Sequence, residues 1–485
     1  MRILVGCPQC GAEMDFVEEA NVVRCSYCGS YLYVAGRQGV LRYALPTRMI
    51  EANRARKRAL AFLKNSGHPH TRPAETFLFH APFWRIQGFA FRWVFGQRPM
   101  TDGRWDGAPP PMERVKRFLY RTLDHTIPGF SGLGLGVFSI GVRTQALELQ
   151  PLDKDHQGSS LLPLEVPLAQ VESVAQGLSQ ELLVPEEIRP EVVLHRLVGT
   201  RYSVVYVPVW YVECHDQGGS YSILVDAVSG DVRLTNDASQ ILLRLMQGQE
   251  SRPFSFSQIR FLPFRCPNCG WVFPFYPFSA LHLCRMCHRL WSEFSGEWKE
   301  VPYLVVPPPK GKSWGSPIWI PFWQFRGAIE SQGTRIDTLQ GLYGIAPPVR
   351  PMPTERMVQR PIHFYVPAVR LRNPQTLHNL ASRFTFAQPE VAPEGFPHGL
   401  RPRTLGGGMP KGQADQLGPM ILGAIIPPMN RKSVEWLNGC RVELSEPRVL
   451  YFPFEKANLY WQELWTGLAF QHSALSEESL DEVGL

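Results

Sequence analysis

Eight of the ten cysteines fall into one pattern used twice, and that pattern restricts the fold more than any other feature of the chain. Near the start the chain reads CPQCG and, fourteen residues after Cys10, CSYCG, giving Cys7, Cys10, Cys25 and Cys28. In its middle it reads CPNCG and, fourteen residues after Cys269, CRMC, giving Cys266, Cys269, Cys284 and Cys287. Each cysteine of the second set lies 259 positions after its counterpart. Two thiolate pairs, each with two residues between, can close a tetrahedron around a metal ion, the usual form of a structural zinc site. Proline inside each leading pair and glycine after it suit a tight knuckle whose backbone N–H groups turn towards sulfur.

With 485 residues the chain is too long for one ordinary core, so two or more domains are expected. Its 44% hydrophobic and 19% charged content fit a water-soluble globular protein, and 44 prolines with 41 glycines favour short strands and turns. The net charge of +7 permits contact with nucleic acid or an anionic surface without requiring it. The first knuckle follows after six residues, leaving no room for a signal peptide, and no stretch has the length and apolarity of a transmembrane segment. A reducing cytoplasm suits eight cysteines held as metal thiolates. Cys214 and Cys440 stand outside the pattern and read as ordinary core or surface thiols.

The proline-centred strand APFW at 81–84 recurs in altered form as YVPVWYV (206–212), WIPFWQF (319–325), YVPAVRL (365–371) and YFPFEKA (451–457), with FSIGVR (138–143) as a degenerate sixth copy. Proline cannot donate to a strand ladder, so each copy marks an edge or bulge. Pro82 and Pro321 differ by 239 positions, and Pro208 and Pro453 by 245. The turns Asp226–Gly230 and Glu463–Gly467 differ by 237. Such drifting offsets are what insertions and deletions leave in a tandem duplication, with a join near 248–262. Helices are expected at 45–65, opening at Pro46-Thr47, and at 166–183, 237–248 behind Asp237, and 374–384 capped by Asn373. Trp461, Leu464, Trp465 and Leu468 have helical spacing, but the matching segment 221–232 reads as a hairpin, and the hairpin is preferred. The stretch 389–419 reads as a long loop or lid. Trp84, Trp93, Trp210, Trp319 and Trp323 read as core residues, some of which can join a partner-binding patch.

Cys284–His288 satisfies the CxxCH string of c-type haem attachment, but its first-half counterpart ends in Gly29 and a CPNC pair precedes it. Iron is the more serious rival to zinc, because paired knuckles also describe rubredoxin-like sites. Lys310–Ser313 ends like a phosphate-binding loop, yet Val306 stands where the leading glycine belongs. Candidate catalytic side chains are scattered: His68, His70, His80, Glu213, Cys214, His215, Asp216, Asp226 and Asp231. Cys214 and His215 are neighbours on an expected strand and so point to opposite faces. No constellation names a reaction, and four ligands at each site leave no open metal position.

The CPQCG…CSYCG start, the helix ending in FLK and the APFW strand together resemble bacterial zinc-ribbon proteins. The ribbon of that family is likened to one in the general transcription factor B, and a helix and PFW β-strands follow it. The resemblance covers residues 1 to about 95 and, less closely, 266–330. It implies metal binding with Cys7, Cys10, Cys25 and Cys28 as ligands, and no activity.

The expectation is therefore an α+β chain. It has a zinc ribbon at 1–38, a β-rich domain with a few helices at 39–250, a second ribbon at 258–298, a second such domain at 299–475 and an acidic tail at 476–485, the halves related by a pseudo-twofold duplication. The expected role is a non-catalytic, two-zinc scaffold or adaptor for a protein partner. The alternatives are a nucleic-acid binder using the first ribbon and Arg54, Arg56, Lys57 and Arg58, and an iron electron carrier.

Overall fold

The computed structural model describes residues 1–46, 50–100, 110–135, 147–152, 160–181, 186–247, 256–310, 315–347, 359–393, 403–437 and 439–475. It is a strand-rich α+β structure. Backbone contacts divide the chain into two units. The first comprises Met1–Gly88, Leu123–Ala175 and Thr200–Pro263; the second comprises Phe89–Thr122, Gln176–Gly199 and Phe264–Leu485. The first unit thus ends beside the join expected near 248–262, whereas 89–122 and 176–199 group with the later half of the chain. The reason is strand length. Arg72–Pro99, Met112–Pro128 and Arg189–Asp216 are longer than expected, and each contributes residues to both units.

In the first unit the strand through Ser203–Val212 is nearly continuous in apolar residues and buried on both faces, as a central strand must be. It runs parallel to Leu41–Ala44, with Tyr206 opposite Ala44, and antiparallel to Gly219–Asp226, with Val209 opposite Asp226. The helix Ala52–Asn65 buries Ala55, Ala59 and Leu63, spaced by four, against Val212, Ile223 and Val225. The two alanines let its axis come close to the strands, and Leu63 alone contributes roughly 1.5–3 kcal/mol of apolar burial.

The second unit repeats these pairings. Tyr303–Val305 runs parallel to Arg441–Ala457, with Val305 opposite Tyr451, and Phe454 stands opposite Glu463 in the following hairpin. The strand Ile318–Ser331 pairs with Arg441–Ala457 and with Ile362–Pro367, and parallel to Arg403–Thr404. In the first unit Phe79 and His80 pair in the same way with Ser160 and Leu161. Two tryptophans fix the same crossing: Trp84 donates from Nε1 to the Val166 carbonyl, and Trp323 to that of Met409, both at 2.9 Å.

The prolines of the recurring strand share one role. The carbonyls of Pro82, Pro208, Pro321 and Pro453 accept from the backbone N–H of Gly129, Ala227, Ala368 and Leu464, each the residue that immediately follows a neighbouring strand. Proline interrupts the ladder by lacking a donor, and the neighbouring strand ends and turns there.

Two expectations change, the start of the first helix and the reading of 389–419 as one loop. The helix expected from Pro46 begins at Ala52, behind a strand that ends at Ala44. FSIGVR at 138–143 lies outside the described residues, and the strand in the place of Ile362–Pro367 is Met112–Pro128, whose terminal TIP-G was not recognised as a copy. The stretch 389–419 is not one loop: among its described residues are the strand Arg403–Thr404, a helical turn Lys411–Ala414 and the start of the helix Gly418–Ile425. Gly407 in it is packed, since a Cβ there would stand 2.5 Å from Leu281. The segment around 461–468 is a hairpin, Tyr460–Glu463 against Ala469–Gln471. The helices Leu168–Gln180, Ala238–Gln247 and Pro374–Ala387 fall where periodicity places them, and Asn373 caps the last by accepting from the Gln375 N–H. Asp237 precedes the second of these, its carbonyl accepting from the Ile241 N–H and its carboxylate from the Gly134 N–H.

Candidate metal centres

Each quartet of cysteines closes. In the first, Cys7 and Cys28 bring their sulfurs to 3.8 Å, as do Cys10 and Cys25; in the second, Cys266 with Cys287 and Cys269 with Cys284 stand at 3.5 Å. All four sulfurs of each set lie within 4.8 Å of one another. A tetrahedral zinc with metal–sulfur bonds near 2.3 Å requires sulfur–sulfur separations of about 3.8 Å. The donor set therefore fits such an ion, and none of the ten cysteines is in a disulfide.

The backbone explains how the chain achieves this twice. Cys7 N–H donates to Ala12 and Gly11 N–H to Cys7; Cys25 to Ser30 and Gly29 to Cys25. The second ribbon repeats the arrangement with Cys266 and Trp271, Gly270 and Cys266, Cys284 and Arg289, and His288 and Cys284. The residue after each knuckle has positive φ: 75° at Gly11, 71° at Gly29, 75° at Gly270 and 55° at His288. His288 thus takes a glycine's place in a turn, which gives the CxxCH string a purely conformational reading. The leading cysteine of each pair is buried at a strand end while its follower sits on the more open loop.

Local hydrogen bonds distinguish the thiols. The Ser30 hydroxyl, 3.2 Å from Cys28, and the Ser30 N–H pull that thiol down to about 6. Burial works against ionising Cys287, but the Arg289 N–H and the Asn268 side chain outweigh it and bring the thiol to about 7.

The ribbons differ in how they are completed. In the first, Arg2–Gly6 pairs with Glu13–Val17, and Tyr31–Ala35 pairs with Val22–Arg24 on one side and Arg260–Pro263 on the other. In the second, Leu290–Phe294 pairs with Leu281–Leu283 and with its own following strand Glu297–Glu300. A segment from the far end of the unit, rather than a local hairpin, therefore supplies the third strand of the first ribbon. Phe16 meets Phe261 edge-on across that seam at 6.3 Å. Of the residues expected to cover the sites, Met14, Phe16, Val22, Phe273 and Leu281 are buried and Phe275 is exposed.

The remaining candidates are placed as follows. Arg54 and Lys57 are exposed, but Arg56 donates to Thr76 and Asn53, and Arg58 donates to the Gly230 carbonyl at 2.7 Å. Half of the basic run therefore serves the packing of its own helix. His68 lies 2.9 Å from the Tyr221 hydroxyl and 3.4 Å from Asp216, a grouping that sequence spacing did not show. His215 stands 3.6 Å from Glu213 on the exposed side while Cys214 is buried, as alternation requires. His80 and Cys440 are buried, and His70 and Asp231 are exposed. Asp226 is consumed by its turn, accepting from the Val228 and Ser229 N–H groups. Of the five tryptophans, Trp84, Trp93 and Trp323 are buried and Trp210 and Trp319 partly so. Lys310 lies among the described residues and 311–313 outside them. Among the described residues no helix is long and apolar enough to cross a membrane. No protein-family model, curated protein or solved structure matches the chain.

Proposed function

We propose that the protein is a non-catalytic zinc scaffold, built by tandem duplication, in which two closed four-cysteine sites rivet two ribbons that present surfaces to a protein partner. The observation that carries this reading is the contrast between sealed metal sites and uncovered ribbon tips. Each quartet uses four sulfurs, so a bound ion keeps no position for substrate. Around the second quartet Trp271, Val272, Phe275 and Met286 are exposed together, and Tyr27 is exposed on the first. Aromatic and methionine side chains concentrated on a rigid tip are the usual anchors of protein recognition.

The paired strand registers, the two tryptophan bonds and the four proline carbonyls support the duplication. Zinc is favoured over iron because the sequence carries no flavin or nicotinamide fingerprint, although four thiolates suit either ion. Residence in the cytoplasm accords with reduced ligand cysteines.

The test is a co-purification from the native cell with metal quantified on the same sample. Two zinc ions per chain and a partner retained by the wild type, but lost in the Trp271→Ser, Met286→Ser variant with metal content intact, uphold the reading. Iron in the sites, or a partner bound equally well by the variant, refutes it.

A further inference from the structure

The first unit contains a cluster of ionisable groups that neither the metal sites nor the apolar packing uses. Arg85 is 2% exposed and donates from Nη1 to Glu18 at 2.8 Å, and from Nε and Nη2 to the two oxygens of Asp124 at 2.6 Å each. One guanidinium thus answers two carboxylates. Glu18 also forms part of the wall of a small cleft with Arg37, Tyr43, Gln87, Arg201 and Ser203, whose cavity volume is about 20 Å³.

Two donors in that wall are unused. Arg37 Nη2 and Ser203 Oγ are shut off from solvent and have no hydrogen-bond partner among the described residues. Ser203 is 5% exposed. Burial pushes the Arg37 guanidinium down, Tyr43 acts to hold it up, and Arg201 presses it down again. Among the described residues around the pocket, the guanidiniums of Arg37, Arg85 and Arg201 face the carboxylates of Glu18 and Asp124, a surplus of positive charge. Burying a charge without a counter-charge is among the most costly things a fold can do, and an unused guanidinium N–H is a strong donor to an anionic oxygen.

We propose that this pocket binds a small oxyanion, a carboxylate or phosphate group held between Arg37 and Arg201 with Ser203 Oγ as a neutral donor. The anion supplies the missing charge, entering along Arg201, and Arg37 and Ser203 turn their unused donors to it as it seats. Glu18 does not repel it decisively because Arg85 already engages that carboxylate.

The second unit provides an internal contrast. The residue after its PFW tryptophan is Gln324, where the first unit has Arg85. Gln324 accepts from Arg448 and donates to the Tyr365 hydroxyl at 2.9 Å, so that cluster closes on itself. Arg448 precedes Tyr451 by three residues, as Ser203 precedes Tyr206. The donor surplus thus belongs to one unit, as expected of a ligand site rather than a shared packing device.

Titration calorimetry of the zinc-loaded full chain at fixed ionic strength, with inorganic phosphate and acetate against a chloride background, tests this. One-site saturable binding of phosphate or acetate is expected, with affinity reduced at least tenfold in both Arg37→Gln and Arg201→Gln. Binding of phosphate alone identifies a phosphate site, and binding of acetate alone a carboxylate site. Arg201 lines the pocket without being fully buried, so its variant carries the test if Arg37→Gln does not fold. Absence of saturable binding by both anions, or binding unchanged in Arg201→Gln, overturns the proposal.

Discussion

Asp226 and Glu463 build the same turn with side chains that differ by one methylene. Asp226 accepts from the N–H groups of Val228 and Ser229, and Glu463 from those of Trp465 and Thr466. The Asp226 carbonyl receives Gly230 N–H and the Glu463 carbonyl receives Gly467 N–H. Both carboxylates are buried, and in each case the next residue donates to a strand proline. Replacing either by alanine removes the acceptor of two partly buried turn N–H groups. Asp226→Ala and Glu463→Ala are each expected to cost about 2 kcal/mol, seen as a lower midpoint in urea with an unchanged slope. A loss below half that value in both would show that water replaces the carboxylate.

The two metal sites are independent in chain position and each needs all its sulfurs. Cys25→Ser and Cys284→Ser should each reduce bound metal from two ions to one per chain, measured by elemental analysis after gel filtration. Because ribbon folding and metal binding are one equilibrium, worth roughly 10 kcal/mol or more per site, proteolysis should cut each variant within its own ribbon. Equal cleavage in both ribbons of either variant would refute independence.

His288 holds φ at 55°, where its three counterparts are glycines. A β-carbon in the left-handed region is costly, while glycine loses more freedom on folding, so His288→Gly should stabilise by about 0.5–1 kcal/mol. Metal content should stay unchanged. A variant that lost metal would mean that the imidazole serves the site.

His378 is buried in the second unit, stacked on Phe118 at 4.3 Å, and its burial brings the imidazole down to about 4, with Asn379 opposing and Lys116 assisting. The unfolded chain takes up that proton near pH 6.5 and the folded chain only near 4. Stability is therefore flat above pH 6.5 and falls as pH drops from there to 4, by roughly 3 kcal/mol from this group. His378→Phe should reduce the fall by about that amount in urea titrations at about pH 7, 5.5 and 4.5. A fall of the same size in the variant would assign it to other groups.

Both cysteine quartets were legible in the sequence because a knuckle is a local object. Two residues between sulfurs, a proline and a glycine carry the whole geometry, and the structure only had to bring two such hairpins together. The recurring proline strands were legible for the same reason, as was the hairpin at 460–471 once matched to 221–232. Met112–Pro128 does not stand out in the sequence because its alternation is half polar and its proline comes last in the strand.

What the order of residues could not show is where distant segments end. Arg260–Pro263 completes the first ribbon from more than two hundred positions away, and Gly407, in a run that looks flexible, is set by how closely Leu281 approaches. The same is true of Arg37 and Ser203. A sequence states that a chain contains arginines and serines, whereas which of them lose water without gaining a partner depends on packing summed over the whole unit. Local backbone chemistry wrote the metal sites into the sequence; burial, a property of the assembled unit, decided the rest.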